Sequence, residues 1–279
     1  MPSNEQRRQA AKRKLERQLA RRAERVKRRR IWGVSITVVV VVAAVGLVYW
    51  LVNLGPGDSE AATNPTDTPP SENTTKGPCG YKENPSEQSE KNPGMPEDPA
   101  ETPKTGTVKV DLKTNQGSIP VTLDRAKAPC TVQSIEHLVK DKFFDGTTCH
   151  RLTASQGLKV LQCGDPLGTG GGGPGYSIPD ELPTDLAQGP AGPDGSPSVV
   201  YPRGALAMAN AGPETGGSQF FLVYGDSTLA PNYTVFGTVE AAGLTTIDKI
   251  AAGGITPGPN GAEDGAPINP VTIEQAVAQ

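Results

Sequence analysis

Aromatic residues make up only 5% of this 279-residue chain, and two of them, Trp32 and Trp50, flank an apolar run instead of lying in a candidate core. Histidine is scarcer still, with His137 and His150 the only two. No C-x-x-C pair occurs, so zinc-site and thioredoxin-like redox chemistry have no sequence basis. No G-x-S-x-G occurs either, which leaves a Ser-His-Asp hydrolase little to build on. Glycine (33) and proline (27) are plentiful, but without a Gly-X-Y period, and a collagen-like chain is excluded. Gly168–Gly173 formally matches G-x-G-x-x-G, yet Pro174-Gly175 follows at once. No helix can start there to offer its N-terminus to a phosphate, so this stretch reads as a flexible loop.

Charge is distributed unevenly. Residues 1–30 hold 13 Lys/Arg against Glu5, Glu16 and Glu24, so the remaining 249 residues carry a net charge of −13. Such a split predicts an anionic partner or an orientation signal at the start and a different compartment for the rest. From Ile31 to Leu54 no charged residue occurs. As a helix this run would span about 36 Å, enough to cross a hydrocarbon core of roughly 30 Å. Arg28, Arg29 and Arg30 precede it, which predicts a cytoplasmic N-terminus and an exported remainder. The run is longer than a signal-peptide core, and no small-residue cleavage site follows closely, which favours an uncleaved anchor. No aromatic or fold motif supports nucleic-acid binding by the Arg-rich segment.

Residues 55–104 are dense in Pro, Ser, Thr, Asn, Glu and Gly, with Tyr81 the single aromatic. That composition predicts a disordered spacer, with Cys79 its one oddity. Folding sequence is expected from residue 105 to the end. Val108, Val110 and Leu112 alternate on one strand face and Ile119, Val121 and Leu123 on another, across a turn at Gln116-Gly117, which predicts a β-hairpin. Pro129 opens a predicted helix, a second helix fits 243–252, and further short strands fit 148–152, 158–163, 204–209, 218–223, 234–239 and 270–275. Eight short strands and two helices in this order predict a mostly β fold, a closed antiparallel barrel capped by helices.

Three stretches carry more than fold: FFDGTTCHRLT (143–153), LQCGDPLGTGGGGPGYSIPDEL (161–182) and GALAMANAGPETGGSQFFLVYG (204–225). With His150-Arg151, Gln162-x-Gly164-Asp165, Ala207–Pro213, Gly217–Phe221 and Val235-Phe236-Gly237 in order, the chain closely resembles the cyclophilins over about 107–277. CHRL and LQCGDP look most like the membrane-anchored cyclophilins of actinobacteria. The resemblance implies a peptidyl-prolyl cis-trans isomerase that needs no cofactor or metal and acts, most simply as a monomer, on proline-containing polypeptides. By the same resemblance Arg151, Gln162, Asn210 and Phe221 are the catalytic set. Val160 and Leu229 would complete the proline pocket, and Ala209, Gln219 and Tyr233 would line the substrate groove. Such a catalyst only has to favour a twisted amide over a planar one, against a barrier of about 18–20 kcal/mol.

Four positions depart from the family pattern. Lys159 falls where an aromatic pocket wall is usual, Val160 replaces a methionine, Thr228 stands where many members have Trp, and Tyr233 where many have His. Lys159 and Tyr233 favour the rival reading, a non-catalytic peptide-binding module on a membrane stalk, whereas Arg151 and Phe221 favour the enzyme. His150 alternates with Arg151 and is expected inside the barrel as a satisfied structural histidine. The four cysteines, 79, 130, 149 and 163, allow three pairings. Cys149 shares a strand face with Arg151, whereas Cys163 points opposite to Gln162, which weighs against joining those two.

Overall fold

A computed structural model describes residues 73–87, 90–192 and 194–279. The basic segment 1–30, the apolar run 31–54 and the first part of the spacer lie outside the described residues. Among the described residues, no helix is long and apolar enough to cross a membrane.

The strands in chain order are β1 (Lys82–Glu83), β2 (Thr107–Thr114), β3 (Gly117–Asp124), β4 (Thr147–Thr148) and β5 (Arg151–Thr153). They continue with β6 (Lys159–Cys163), β7 (Tyr176–Ser177), β8 (Val199–Tyr201), β9 (Ala205–Met208) and β10 (Phe220–Gly225). The last are β11 (Ser227–Leu229), β12 (Val235–Val239), β13 (Ile255–Gly258), β14 (Gly261–Pro267) and β15 (Thr272–Ala278). Among the described residues the α-helices are α1 (Pro129–Lys140) and α2 (Ala241–Ala252), with one 3-10 turn at Pro85–Glu87.

The β2–β3 hairpin forms as its alternation predicts: Val108, Val110, Leu112, Ile119, Val121 and Leu123 are all buried. Helix α1 lays Val132, Ile135, Leu138 and Val139 onto the same core, where Phe144, Phe220 and Phe236 meet them. Its first free N–H groups, on Cys130 and Thr131, are accepted by the Glu181 carboxylate at 3.0 and 2.8 Å, a cap supplied from far along the chain. Helix α2 closes over β3, with Gly243 so near Pro120 and Ile119 that a β-carbon there would crowd both.

One curled antiparallel sheet runs β13-β14-β5-β6-β10-β9-β12-β3-β2-β15-β4. The uninterrupted closed ring of eight strands expected from the sequence is not what the ladder shows. The segment 147–153 pairs with β15 at its start, through β4, and with β6 at its end, through β5. Cys149 and His150 lie between the two pairings, in neither strand.

The expected spacer needs the larger correction. Its described part, from residue 73, packs onto the β domain as a strap: Tyr81 is fully buried, β1 pairs with β7, and Cys79 forms a disulfide with Cys130 at the start of α1. The Tyr81 hydroxyl donates to the Cys130 carbonyl at 2.8 Å. The Asp98 carboxylate accepts from Thr75 Oγ1 and from the backbone of Cys79 and Gly80, which fixes the strap's own turn. Polar composition concealed this because one disulfide and one buried tyrosine do work that a disordered segment would leave to a larger apolar face.

The other disulfide joins Cys149 to Cys163, the pairing the strand-face argument disfavoured. That argument assumed regular pleating through residue 149. The strand instead breaks at 149–150, and the Cys149 N–H turns to the Val271 carbonyl. On the other side Gly164 takes φ +87°, and a β-carbon there would lie 2.2 Å from the Ser218 carbonyl oxygen. With both strands kinked, alternation no longer decides which side chains meet.

Candidate active site

The site is a row of side chains crossing five strands. Arg151 on β5 opposes Gln162 on β6; Gln162 opposes Phe221 on β10; Phe221 opposes Ala207 on β9; and Ala207 opposes Val235 on β12. Directly opposed residues share a sheet face, so the row presents one continuous surface, charged at one end and apolar at the other.

At the charged end Arg151 is held from two sides. Its Nε and Nη2 donate to the two carboxylate oxygens of Asp264 at 2.7 and 2.8 Å, and Nη1 donates to Gln162 Oε1 at 3.2 Å. This fork raises the guanidinium's already high pKa and holds the Asp264 carboxyl below its usual range. A guanidinium can only donate, and that fixes the sense of the amides beyond it. Gln162 must accept with Oε1, so its Nε2 donates to Gln219 Oε1 at 3.0 Å. Gln219 in turn donates through Nε2 to the carbonyls of Gly170 and Gly172, at 3.0 and 2.9 Å. The chain of bonds from Asp264 to the glycine loop is polarised throughout.

That loop is pinned, contrary to the flexible stretch expected from its sequence. Asp165 is fully buried and accepts the backbone N–H groups of Leu167, Thr169 and Gly170. Burial alone would push its carboxyl up; these donors hold it down. Gly172 passes so close that a β-carbon would lie 2.2 Å from Asp165 Oδ1. Beside the loop lies a cleft of about 240 Å³ lined by Gln162, Gly170, Ala209, Asn210, Thr215 and Gln219 among others. His150 departs from its expected role: it is half-buried, its Nδ1 has no hydrogen-bond partner, and burial lowers its pKa.

At the apolar end Phe221 packs with Val160, Tyr201, Ala205, Ala207, Val223 and Val235, and Leu229, Tyr233, Leu158 and Ala209 lean on the same cluster. Tyr201, Phe221 and Tyr233 form a triangle of edge-to-face rings with centroids 5.5–6.2 Å apart. The buried Tyr201 hydroxyl, its pKa pushed up to about 12 chiefly by burial, accepts the Tyr233 N–H and lies within donating distance of the Ala230 and Tyr233 carbonyls. It thereby pins the loop that carries Leu229 and Tyr233.

Of the sequence-named residues, Arg151, Gln162, Phe221, Val160, Ala209, Gln219, Leu229 and Tyr233 all come together on this surface. Asn210 borders the cleft, but its side chain is engaged within the protein: Nδ2 donates to the Asn232 carbonyl, and Oδ1 accepts the Gly212 N–H. Lys159 is exposed and lies along Gly225 instead of walling the pocket, where Leu158 and Tyr201 supply the bulk. Sequence reasoning missed Asp264 and Tyr201. Asp264 lies 113 residues from its partner on a Gly- and Pro-rich hairpin, where no local pattern could flag it.

A β-sheet groove that joins a fixed guanidinium to an apolar pocket, with no nucleophile along the row, defines a peptide-handling protein of the prolyl-isomerase class. The family model for the cyclophilin-type peptidyl-prolyl cis-trans isomerases matches residues 109–278, and the chain belongs to that family. It is 46% identical to the probable peptidyl-prolyl cis-trans isomerase B of Mycobacterium leprae, over 98% of both chains. To the protein so named in Mycobacterium tuberculosis it is 53% identical, over 63% of this chain and 58% of the relative. Among solved structures, a cyclophilin-type isomerase of Cryptosporidium parvum aligns with a TM-score of 0.48 at 25% identity, covering 62% of this chain and 98% of that one. The same isomerase crystallised in the presence of the dipeptide Ala-Pro aligns with a TM-score of 0.47. The chain is a cyclophilin-type peptidyl-prolyl cis-trans isomerase.

Proposed function

We propose that this isomerase acts on X-Pro bonds of exported or cell-envelope proteins and assists their folding from a membrane anchor. The observation that carries the catalytic reading is the single row from Arg151 to Val235, which joins a fixed cation to an apolar surface. In this reading the proline ring rests on Phe221, against Val160, Leu229 and Tyr233. Arg151 donates to the prolyl nitrogen as rotation localises its lone pair, an interaction stronger at the twisted transition state than in either planar isomer. Gln162 donates to the substrate carbonyl before the proline, and Gln219 and Ala209 border the chain as it enters the cleft. Asn210, like Gln162, keeps one amide N–H beyond its bond within the protein and holds the substrate backbone through it. The step needs neither covalent intermediate nor proton transfer.

The extracytoplasmic setting rests on the uncharged run 31–54 behind 13 basic residues, and on two disulfides, which persist in oxidising compartments. The test has two arms. The full chain should accelerate cis-to-trans conversion of an X-Pro peptide in a protease-coupled assay. Protease added outside spheroplasts should release the domain and leave the N-terminus protected. A chain without turnover that still binds the peptide would favour the scaffold reading; the reverse protection pattern would overturn the orientation.

A further inference from the structure

The hairpin β13–β14 belongs to no motif named above, yet it lies against the strand that carries Arg151. Asp264 and Gly265 of β14 pair with Thr153 and Leu152 of β5, and the Ala154 N–H donates to the Glu263 carbonyl. These backbone bonds place the Asp264 carboxylate beside the guanidinium, and Asn260 at the hairpin turn donates to Asp264 Oδ2 at 3.2 Å. The arrangement is partly shielded, with the Arg151 side chain 35% exposed and that of Asp264 18%.

Counting donors shows what the fork does. A guanidinium has five N–H groups. Asp264 takes the one on Nε and one on Nη2, and Gln162 takes one on Nη1. Two remain, one on each Nη nitrogen. A side-on fork also sets the plane of the group, because two parallel bonds resist rotation about the last side-chain torsions where one would not. Without the carboxylate, Gln162 alone would hold Arg151 through a single 3.2 Å contact, and the free N–H groups would sample many directions.

We propose that Asp264 is a positioning residue for the isomerase reaction: its carboxylate holds the Arg151 guanidinium in the plane and orientation in which the two free Nη N–H groups meet the prolyl nitrogen. The inference rests on the catalytic role assigned to Arg151 above. Asp264 bonds to Arg151 and is not among the residues lining the cleft, so its loss acts on the rate of interconversion of bound peptide more than on affinity, which the apolar cluster supplies. Misalignment of a donor that counts only at the transition state lowers turnover selectively.

The experiment uses Asp264→Asn in the full chain, a substitution that keeps shape but replaces one acceptor of the fork with an amide NH₂ facing a donor. Peptide NMR gives the exchange rate on the enzyme separately from the dissociation constant, and the Arg151 Nε–H signal reports whether the fork persists. The expected result is a fall of about tenfold or more in on-enzyme exchange, a dissociation constant within about twofold, and faster solvent exchange of the Arg151 Nε–H. On-enzyme exchange within about threefold of the parent, or a rate loss with the Nε–H still protected, would overturn the proposal. Should asparagine unfold the hairpin, Asp264→Ala carries the same three measurements. Arg151→Ala is run alongside: if it retains turnover, the catalytic reading itself fails, whereas loss in Arg151→Ala without loss in Asp264→Asn sinks the positioning role alone.

Discussion

Along the row from Arg151 to Val235 the groove changes character between its second residue and its third. On the Arg151–Gln162 side, long polar side chains are held by directed bonds that run from Asp264 to the glycine loop, and each member depends on the next. On the Phe221 side, rings and branched chains are held by packing, where neighbours share the load and no single contact sets the geometry. The two sides therefore fail differently. Directed bonds fix orientation, on which a transition-state interaction depends; packing fixes a volume, on which ground-state affinity depends. Damage to the polar wall should appear in rate and damage to the apolar wall in binding.

The largest expected effect comes from removing what lies behind the polar wall. The strap reaches that wall through β7, which follows the glycine loop, and through the Asn84 N–H donating to the Gly175 carbonyl. A fragment starting at residue 105 loses the Cys79–Cys130 bridge and the buried Tyr81. Loss of a native disulfide alone costs about 2–5 kcal/mol. Relative to a chain beginning at residue 69, the fragment should melt at clearly lower temperature. At a temperature where both are folded, its catalytic rate should drop more than its peptide affinity. Equal melting of the two would show that the strap is ornamental, and equal losses in rate and affinity would erase the distinction between the walls.

Next comes Arg151→Ala, which removes the end of the row itself. A hydrogen bond from a charged donor is worth about 1.5–3 kcal/mol, so kcat/KM should fall on the order of 10–200-fold. The melt and the peptide dissociation constant should change little, because Arg151 is half-exposed and carries none of the apolar packing. Arg151→Lys should recover little, since an ammonium cannot reproduce the planar fork. Activity within about threefold of the parent would mean that the polar wall only binds.

How much of this was legible in the sequence follows the same division. Residues within one strand or motif were readable: period-2 alternation gave the β2–β3 hairpin, and the family motifs named both ends of the row. What escaped depends on contacts between distant segments. Asp264 comes from a hairpin whose own sequence, Gly- and Pro-rich, signals only turns. Tyr201 looks like one tyrosine before a proline until the loop at 229–233 is seen bound to its hydroxyl. The strap hid behind a disordered composition, although Cys79 and Tyr81 were the two residues in it that a pure spacer does not need. The Cys149–Cys163 bridge escaped because strand alternation cannot anticipate a break at 149–150 opposite a glycine with positive φ.

A smaller effect is expected on the apolar side from Tyr201→Phe. The ring and its packing stay, while the hydroxyl that holds the Tyr233 N–H at 3.2 Å is lost. Leaving that group without its partner costs about 1 kcal/mol, and the loop bearing Leu229 and Tyr233 should loosen. Peptide affinity should weaken by about three- to tenfold, with on-enzyme exchange nearly unchanged. Titration of an X-Pro peptide with exchange spectroscopy separates the two, and a variant slower in exchange but equal in affinity would reverse the assignment of the walls.

The smallest effect is expected from Lys159→Ala, which tests where the apolar wall ends. From sequence, Lys159 occupies the place of an aromatic pocket residue, and a lysine there would put a charge against the proline ring. In the fold it is exposed at the start of β6, opposite Gly225, with its aliphatic stem along that glycine and its backbone N–H donating to Ser227 Oγ. A β-carbon on Gly225 would lie 2.6 Å from Lys159 Cδ, so the stem covers a surface that glycine leaves open, as long charged side chains commonly do. Truncation removes that cover and a solvated charge but no contact with Phe221. Stability should shift by no more than about 0.5 kcal/mol, and both rate and affinity should stay within about twofold of the parent. A gain in affinity on removing the charge would show that Lys159 reaches the pocket after all, and the apolar wall would then have to be redrawn through β6 with Leu158 displaced from it.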